Sequence, residues 1–282
     1  MTAVTALSRA RVRKSSIRVL LTTVTWFVTL VFFFPVAWMV ITAFKPESAA
    51  ATNPPTIFTE YSLDNFAAVF GSGFGGYLIN SFTASVVSTA IVVALAFPAA
   101  YALSIRPVKK PTDVLFFFIS TKFLPLAAAV IPIYLVLQQL GLLDNVSALT
   151  ILYIGMNLPL AVWMIRSFLM EVPREVIEAA QVDGANVRTE MIRVVLPIVA
   201  PGVAAAALIC FIFAWNEYFL ANILTSTLAR TTPPALSGFQ SGRGQFLAVL
   251  SAAATTAVLP VVIAGWVAQK RLVRGLAMGA IK

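Results

Sequence analysis

The chain has 282 residues, is 60% hydrophobic and only 11% charged; soluble domains carry about 25% charge, so this is a membrane-protein composition. Histidine is absent and there is one cysteine, Cys210. This excludes an internal disulfide and a Cys/His zinc cluster and removes the commonest base at neutral pH. The net charge of +9 would point to nucleic acid if the basic residues formed one patch, but they are sorted by loop.

A helix crossing a bilayer needs about 20 mostly apolar residues. Residues 19–44 carry no charge and predict a first span near 19–43. The basic N-terminus before it has the layout of a secretory signal. Its apolar run exceeds the roughly 7–15 residues of a signal core, so an uncleaved span is expected. The segment from Lys45 to Gly76 is rich in Pro, Thr and Gly and reads as a surface loop with a short helix near 63–70. Further spans are predicted near 77–105, 113–137, 147–169, 196–222 and 246–269, the third containing one charge, Lys122. Cys210 reads as a small buried hydrophobe of the fifth.

The fold class is therefore all-α, a polytopic membrane protein with six transmembrane helices. Its parts are an N-terminal segment (1–18), the membrane domain (19–270) and a C-terminal tail (271–282). Most basic residues lie before span one, after spans two and four, and after span six; only Lys45, Arg230 and Arg243 lie on the other side. The positive-inside rule then puts both termini in the cytosol, with the loops after spans two and four. This sorting accounts for the net charge without nucleic acid.

The polar loop 171–195 between spans four and five has its own grammar. Pro173 suits a helix start, and Glu175 and Glu178 lie where the macrodipole favours acids. Val176, Ile177, Ala179 and Ala180 give a small apolar surface. Gly184 fits a left-handed C-cap, and Asn186 caps a second helix running from Val187 towards Val195. Pro197 and Pro201 mark the bend into span five. Such a unit serves either as a knob for a partner's groove or as an amphipathic loop on the lipid surface.

Glu178-Ala179-Ala180, then Asp183-Gly184-Ala185, then Leu196-Pro197 twelve residues past the glycine, resembles the EAA loop of ABC importer permeases. The location between the fourth and fifth spans agrees. Phe44-Lys45-Pro46, Asn80-Ser81, Ala100-Tyr101-Ala102-Leu103, Ile131-Pro132-Ile133-Tyr134, Leu140-Gly141-Leu142-Leu143-Asp144, Leu158-Pro159 and Trp215-Asn216-Glu217 look like the maltose-type carbohydrate permeases. The tail from Gln269 to Lys282 resembles that of their second permease. A narrower similarity, to permeases for polyols such as sorbitol and mannitol, rests on Ser120-Thr121-Lys122-Phe123-Leu124-Pro125, Leu250-Ser251-Ala252-Ala253 and Gly265-Trp266. Asn186 departs from the family's usual Ser or Thr but caps equally well; Phe246 stands near a common Trp.

The resemblance implies a type I ABC importer permease in a bacterial inner membrane. It implies three kinds of protein partner: an ATPase subunit dimer, a second homologous permease and an extracytoplasmic solute-binding protein. The cargo would be a sugar or polyol. Glu178, Ala179, Ala180, Asp183 and Gly184 would couple to the ATPase. The sequence has no Gly-x-x-x-x-Gly-Lys-Ser/Thr loop of its own, and no catalytic residue, cofactor or metal is expected.

Lys122, about nine residues into span three, is expected near mid-bilayer, where a charge normally faces a cavity or a partner. Lys122, Asn157, Trp215, Asn216 and Glu217 are therefore candidates for the translocation path; the alternative is that Lys122 snorkels or pairs structurally. Two rival readings of the whole chain remain at this stage. An ion-coupled secondary transporter needs intramembrane coupling charges. A membrane-embedded enzyme would use the acids Glu171, Glu175, Glu178, Asp183 and Glu190.

Overall fold

A computed structural model describes the backbone of residues 2–279 except 107, 124, 242 and 243, and the side chains of residues 17–106, 108–123, 125–239 and 246–269. Leu124, Arg243 and the last three residues of the expected tail thus lie outside the described residues.

In chain order the helices are α1 (Thr2–Ala43), α2 (Glu47–Ala50), α3 (Asp64–Gly71), α4 (Phe74–Ile105) and α5 (Pro111–Ser120). After a 3-10 turn (Thr121–Phe123) come α6 (Leu126–Gln139), α7 (Val146–Leu169), α8 (Arg174–Val182) and α9 (Val187–Thr189). A π-helical segment (Glu190–Val195) leads into α10 (Leu196–Trp215), followed by α11 (Phe219–Leu224), α12 (Thr232–Ser237) and α13 (Leu247–Gly279). Two paired β segments of two residues each, Gln240–Ser241 and Gly244–Gln245, are the exception to an all-α fold.

Five helical runs among the described residues are long and apolar enough to cross a membrane: Ile17–Ala43, Phe74–Ile105, Val146–Leu169, Val187–Trp215 and Leu247–Gln269. The third expected span is not one rod. It is a pair, Pro111–Phe123 and Leu126–Gln139, bent by 86°. The Ser120 and Thr121 hydroxyls donate to Phe117 O (2.8 Å) and Phe118 O (2.7 Å), turning polar groups back on the helix end. Pro125, extended at φ −65° and ψ 117°, has no N–H to continue the ladder. The fifth span also ends earlier than expected, at Trp215 rather than 222, and α11 is a separate short helix.

The chain divides into two compact units, Met1–Gly71 with Ser241–Thr256, and Ser72–Gln240 with Ala257–Lys282. In the first, the segment after α1 is ordered around a buried lysine. Lys45 Nζ donates to Thr56 O (2.5 Å) and stands 4.0 Å from the centre of the Trp38 ring. A buried ammonium is costly without such partners. Asn65 on α3 donates to Ala43 O (2.9 Å) and Lys45 O (2.7 Å), and Glu47 accepts from Ala248 N (3.1 Å). The short helix expected near 63–70 is α3.

In the second unit, α4, α7 and α10 pack around Val92, Ala96, Ala100, Ala161, Val162, Ile165, Val199, Ala206 and Cys210. Cys210 is a buried free thiol, as its apolar surroundings predict. Small residues on α10 bring it close to α7. At Gly202 an added Cβ would lie 2.2 Å from the nearest Phe168 ring carbon. A second apolar cluster joins α6, α7, α10 and α11 through Leu137, Leu149, Tyr153, Ala214, Leu220 and Leu224.

Candidate functional site

The loop after α7 folds as its sequence grammar requires. Pro173, extended, precedes α8. Ile177 and Ala180 turn inward while Glu178, Ala179, Asp183 and Gly184 stay exposed. Gly184 takes φ +79°, the left-handed conformation that costs an L side chain. The N–H groups of Gly184 and Ala185 return to Gln181 O (3.0 Å) and Ala180 O (2.9 Å), closing the helix end. Asn186 Oδ1 accepts from Thr189 N (2.9 Å) and starts α9. Between the two helices lies an open concavity of about 490 Å³, lined by residues that include Val176, Ala179, Ala180, Gly184 and Val194. Val182 and Val187 beside it are strongly exposed apolar side chains.

One acid of this loop is unlike the others. Glu171, Glu175, Glu178 and Asp183 are exposed, but Glu190 is fully buried. Its Oε2 accepts from Arg106 Nη2 (3.0 Å) and Gln181 Nε2 (3.1 Å), and its Oε1 accepts from the Tyr101 hydroxyl. The acids therefore do not form a joint cluster, and among the described residues no group of three His, Cys, Asp or Glu is placed to hold a metal.

The five path candidates are dispersed in role. Lys122 is exposed in the 3-10 turn at the bend, which packs on α7, instead of lying mid-helix; it makes no hydrogen bond or ion pair with any described residue. Asn157 on α7 is buried and reaches Cys210 O of α10 (3.5 Å). Trp215 is buried, its indole N–H donating to Ala257 O (3.2 Å) and its ring 5.8 Å from that of Phe211. Asn216 is exposed and donates to Ile212 O (2.8 Å). Glu217 is buried and spent as a helix cap: it accepts from Leu220 N (2.9 Å), Ala221 N (3.0 Å) and the Tyr153 hydroxyl (3.3 Å). The structure thus joins Asn157 to α10 and Glu217 to α7, and leaves Lys122 and Asn216 with accessible polar groups.

Sequence reasoning also missed Asp144, between α6 and α7. Its carboxylate accepts from the backbone N–H of Ser226 (2.9 Å), Thr227 (3.1 Å), Leu228 (2.9 Å) and Ala229 (2.9 Å), and from the Ser226 hydroxyl (2.8 Å). Partial burial works to raise its pKa. The N–H donors of Leu228, Ser226 and Ala229 outweigh that and hold the carboxyl well below the usual carboxylate range.

Residues 93–277 match the family described as the binding-protein-dependent transport system inner membrane component. The chain belongs to this family. Among its relatives is a probable ABC transporter permease of Sinorhizobium fredii, 36% identical over 94% of this chain and 96% of that protein. Another is the sulfoquinovosyl glycerol transport system permease of Agrobacterium fabrum, 33% identical over 88% of each. A third is the trehalose transport system permease of Mycobacterium tuberculosis, 32% identical over 88% of this chain and 92% of that one. A solved bacterial ABC transporter involved in import of the acidic polysaccharide alginate superposes with a TM-score of 0.74, at 21% identity over 90% of this chain and 95% of the other. The fold is that of an ABC importer permease. The relatives are permease subunits, so the chain is a transport component of a multi-pass membrane assembly and not an enzyme; a secondary transporter or membrane enzyme no longer competes.

Proposed function

We propose that this permease carries a carbohydrate inward across the cell membrane, driven by a separate ATPase. The carbohydrate class is supported by relatives named for sulfoquinovosyl glycerol, trehalose and diacetylchitobiose. Within that class a polyol or small sugar is the substrate we favour, from the likeness of Ser120–Pro125 to polyol permeases. The observation that carries the coupling is the exposed turn Glu178–Gly184 beside its concavity. Its outer face presents Ala179, the exposed Val182, the acids Glu178 and Asp183 and a left-handed glycine, a compact knob suited to a partner's groove.

In this reading both termini and the 171–195 loop face the cytosol. One ATPase subunit receives this loop, and the other receives the matching loop of a second permease. ATP-driven closure of the two ATPase subunits draws the loops together and turns the permease pair outward. The binding protein then releases its ligand into the cavity, and hydrolysis resets the assembly. Alternating access of this kind requires two discrete helix arrangements. Lys122 and Asn216 offer polar groups to hydroxylated cargo along the path, while Asn157, Trp215 and Glu217 hold the helices that shape it.

The test is purification of the tagged chain from native membranes in mild detergent, with ATPase activity measured on the eluate. An ATP-hydrolysing subunit and a second permease are expected to co-purify. Binding protein loaded with polyols or sugars should stimulate hydrolysis for the true ligand. Elution of the chain alone in several detergents, without ATPase activity, would refute the coupling.

A further inference from the structure

Glu190 joins parts of the permease that are far apart in sequence. It opens the π-helical segment, which runs without interruption into α10. Its two oxygens receive donors from three places: Gln181 on α8, Tyr101 in the last turn of α4, and Arg106, the residue that ends α4. Arg106 also donates to the Tyr101 hydroxyl (3.0 Å), closing a ring of three side chains, Glu190, Tyr101 and Arg106, to which Gln181 is joined through Glu190. The Glu190 side chain is 1% exposed and that of Arg106 is 32% exposed. A buried carboxylate held by three donors, one of them a guanidinium, is a stiff joint, because losing the guanidinium leaves a buried charge without compensation and losing either neutral donor loosens its hold.

The mechanical consequence follows from chain connectivity. The loop is covalently continuous with α10 but has no such continuity with α4. Yet α4 and α10 share one packed core with α7. Force applied to α8 reaches α7 and α10 through the chain, and α4 only through packing, so α4 is the helix that could lag behind. A second grip on the end of α4 turns both helices together. We propose that Glu190 is the positioning residue that fastens the 174–195 unit to α4, so that α8, α10 and α4 move as one body when the loop is driven. The proposal rests on the reading of this loop as the ATPase contact. It adds Tyr101, Arg106 and Glu190, none of which need touch ATPase or cargo, and gives Gln181 of the docking turn an inward bond.

The complete importer is the object to test, reconstituted in vesicles with its binding protein, and ATP hydrolysed is measured against solute accumulated. Glu190→Gln keeps the shape and removes the charge; Tyr101→Phe removes a single donor and is the milder companion. Both variants should assemble with the ATPase and hydrolyse ATP within about twofold of wild type. The ATP used per solute should rise about tenfold in Glu190→Gln, a loss of the size of ordinary allosteric couplings, and less in Tyr101→Phe. Exchanging the pair, Arg106→Glu with Glu190→Arg, should recover part of the ratio, which a general loss of stability would not. An unchanged ratio in Glu190→Gln overturns the proposal. So does loss of the ATPase from that variant, since the network would then only shape the docking surface. Gly184→Arg, prepared alongside, tests the underlying reading separately: if it keeps the ATPase bound, the docking assignment itself is wrong, whatever Glu190 does.

Discussion

Replacing Gly202 by alanine should destabilise the permease by forcing one ring out of place. The added methyl would meet three Phe168 ring carbons at 2.2, 2.4 and 2.6 Å. Carbon atoms at rest stand about 3.5–4.0 Å apart, so the ring must retreat by about 1.3 Å or the helices must part. Overpacking of this kind costs about 1–3 kcal/mol. Phe168 is only half-buried, which lets the ring swing outward and places the cost at the lower end, about 1 kcal/mol. The assay is thermal unfolding of the purified importer in detergent, where each kcal/mol lowers Tm by about 2–4 °C. Phe168→Ala alone should also lower Tm, by opening a gap. In the Gly202→Ala background the same truncation should relieve the clash, with a coupling of about 1 kcal/mol in the double-mutant cycle. A Gly202→Ala protein that melts with wild type, or a strictly additive cycle, would refute the packing argument.

Other expectations follow. Asp144→Asn puts donors where four backbone N–H groups point, and lost bonds to a charged acceptor are worth about 1–3 kcal/mol; hydrogen exchange at residues 226–229 should speed up about 5–150-fold. Because the Asp144 pKa is depressed in the folded state, its stabilisation is present above about pH 4, the unfolded value, and fades only as acid passes below it. Protection of these amides, corrected for intrinsic rates, should therefore be flat across the neutral range; a loss already near neutrality would contradict the assignment. Gly184→Arg places an L side chain at φ +79° and should abolish both ATPase co-purification and transport at normal membrane levels. Lys122→Met should change transport kinetics if the exposed amine meets the cargo, and unchanged KM and Vmax would remove Lys122 from the path.

What the sequence made legible was mostly local. Charge-free runs gave the spans, because hydrocarbon tolerates few charges anywhere along a helix. The turn at Gly184 and the cap at Asn186 were readable because each acts within three residues of itself. The bend after Ser120 was not seen, since both halves are apolar and the averaged run looks continuous; Pro125 was the signal present. Glu217 falls inside the expected fifth span, among the path candidates. Its use as a cap depends on the chain turning at Asn216 to begin α11, which hydrophobicity does not encode. The pairings of Glu190 and Asp144 are hidden for a plainer reason. Gln181 apart, which is nine residues from Glu190, the partners of their side chains lie 84 to 89 and 82 to 85 residues away, and a single sequence records no pairings at that distance.

The bend between α5 and α6 also bears on how the protein is made. At about 1.5 Å per residue, neither the run Pro111–Phe123 nor Leu126–Gln139 reaches across the roughly 30 Å hydrocarbon layer by itself. Only the two runs together supply an apolar stretch of spanning length, so the elbow has to be held by its neighbours. The supports for that elbow emerge later from the ribosome: α7, on which α5 rests, and α11, against which α6 packs. Until α11 has been synthesised the elbow lacks one of its two props, so this span, although translated third, waits for the segment after α10 before it can settle.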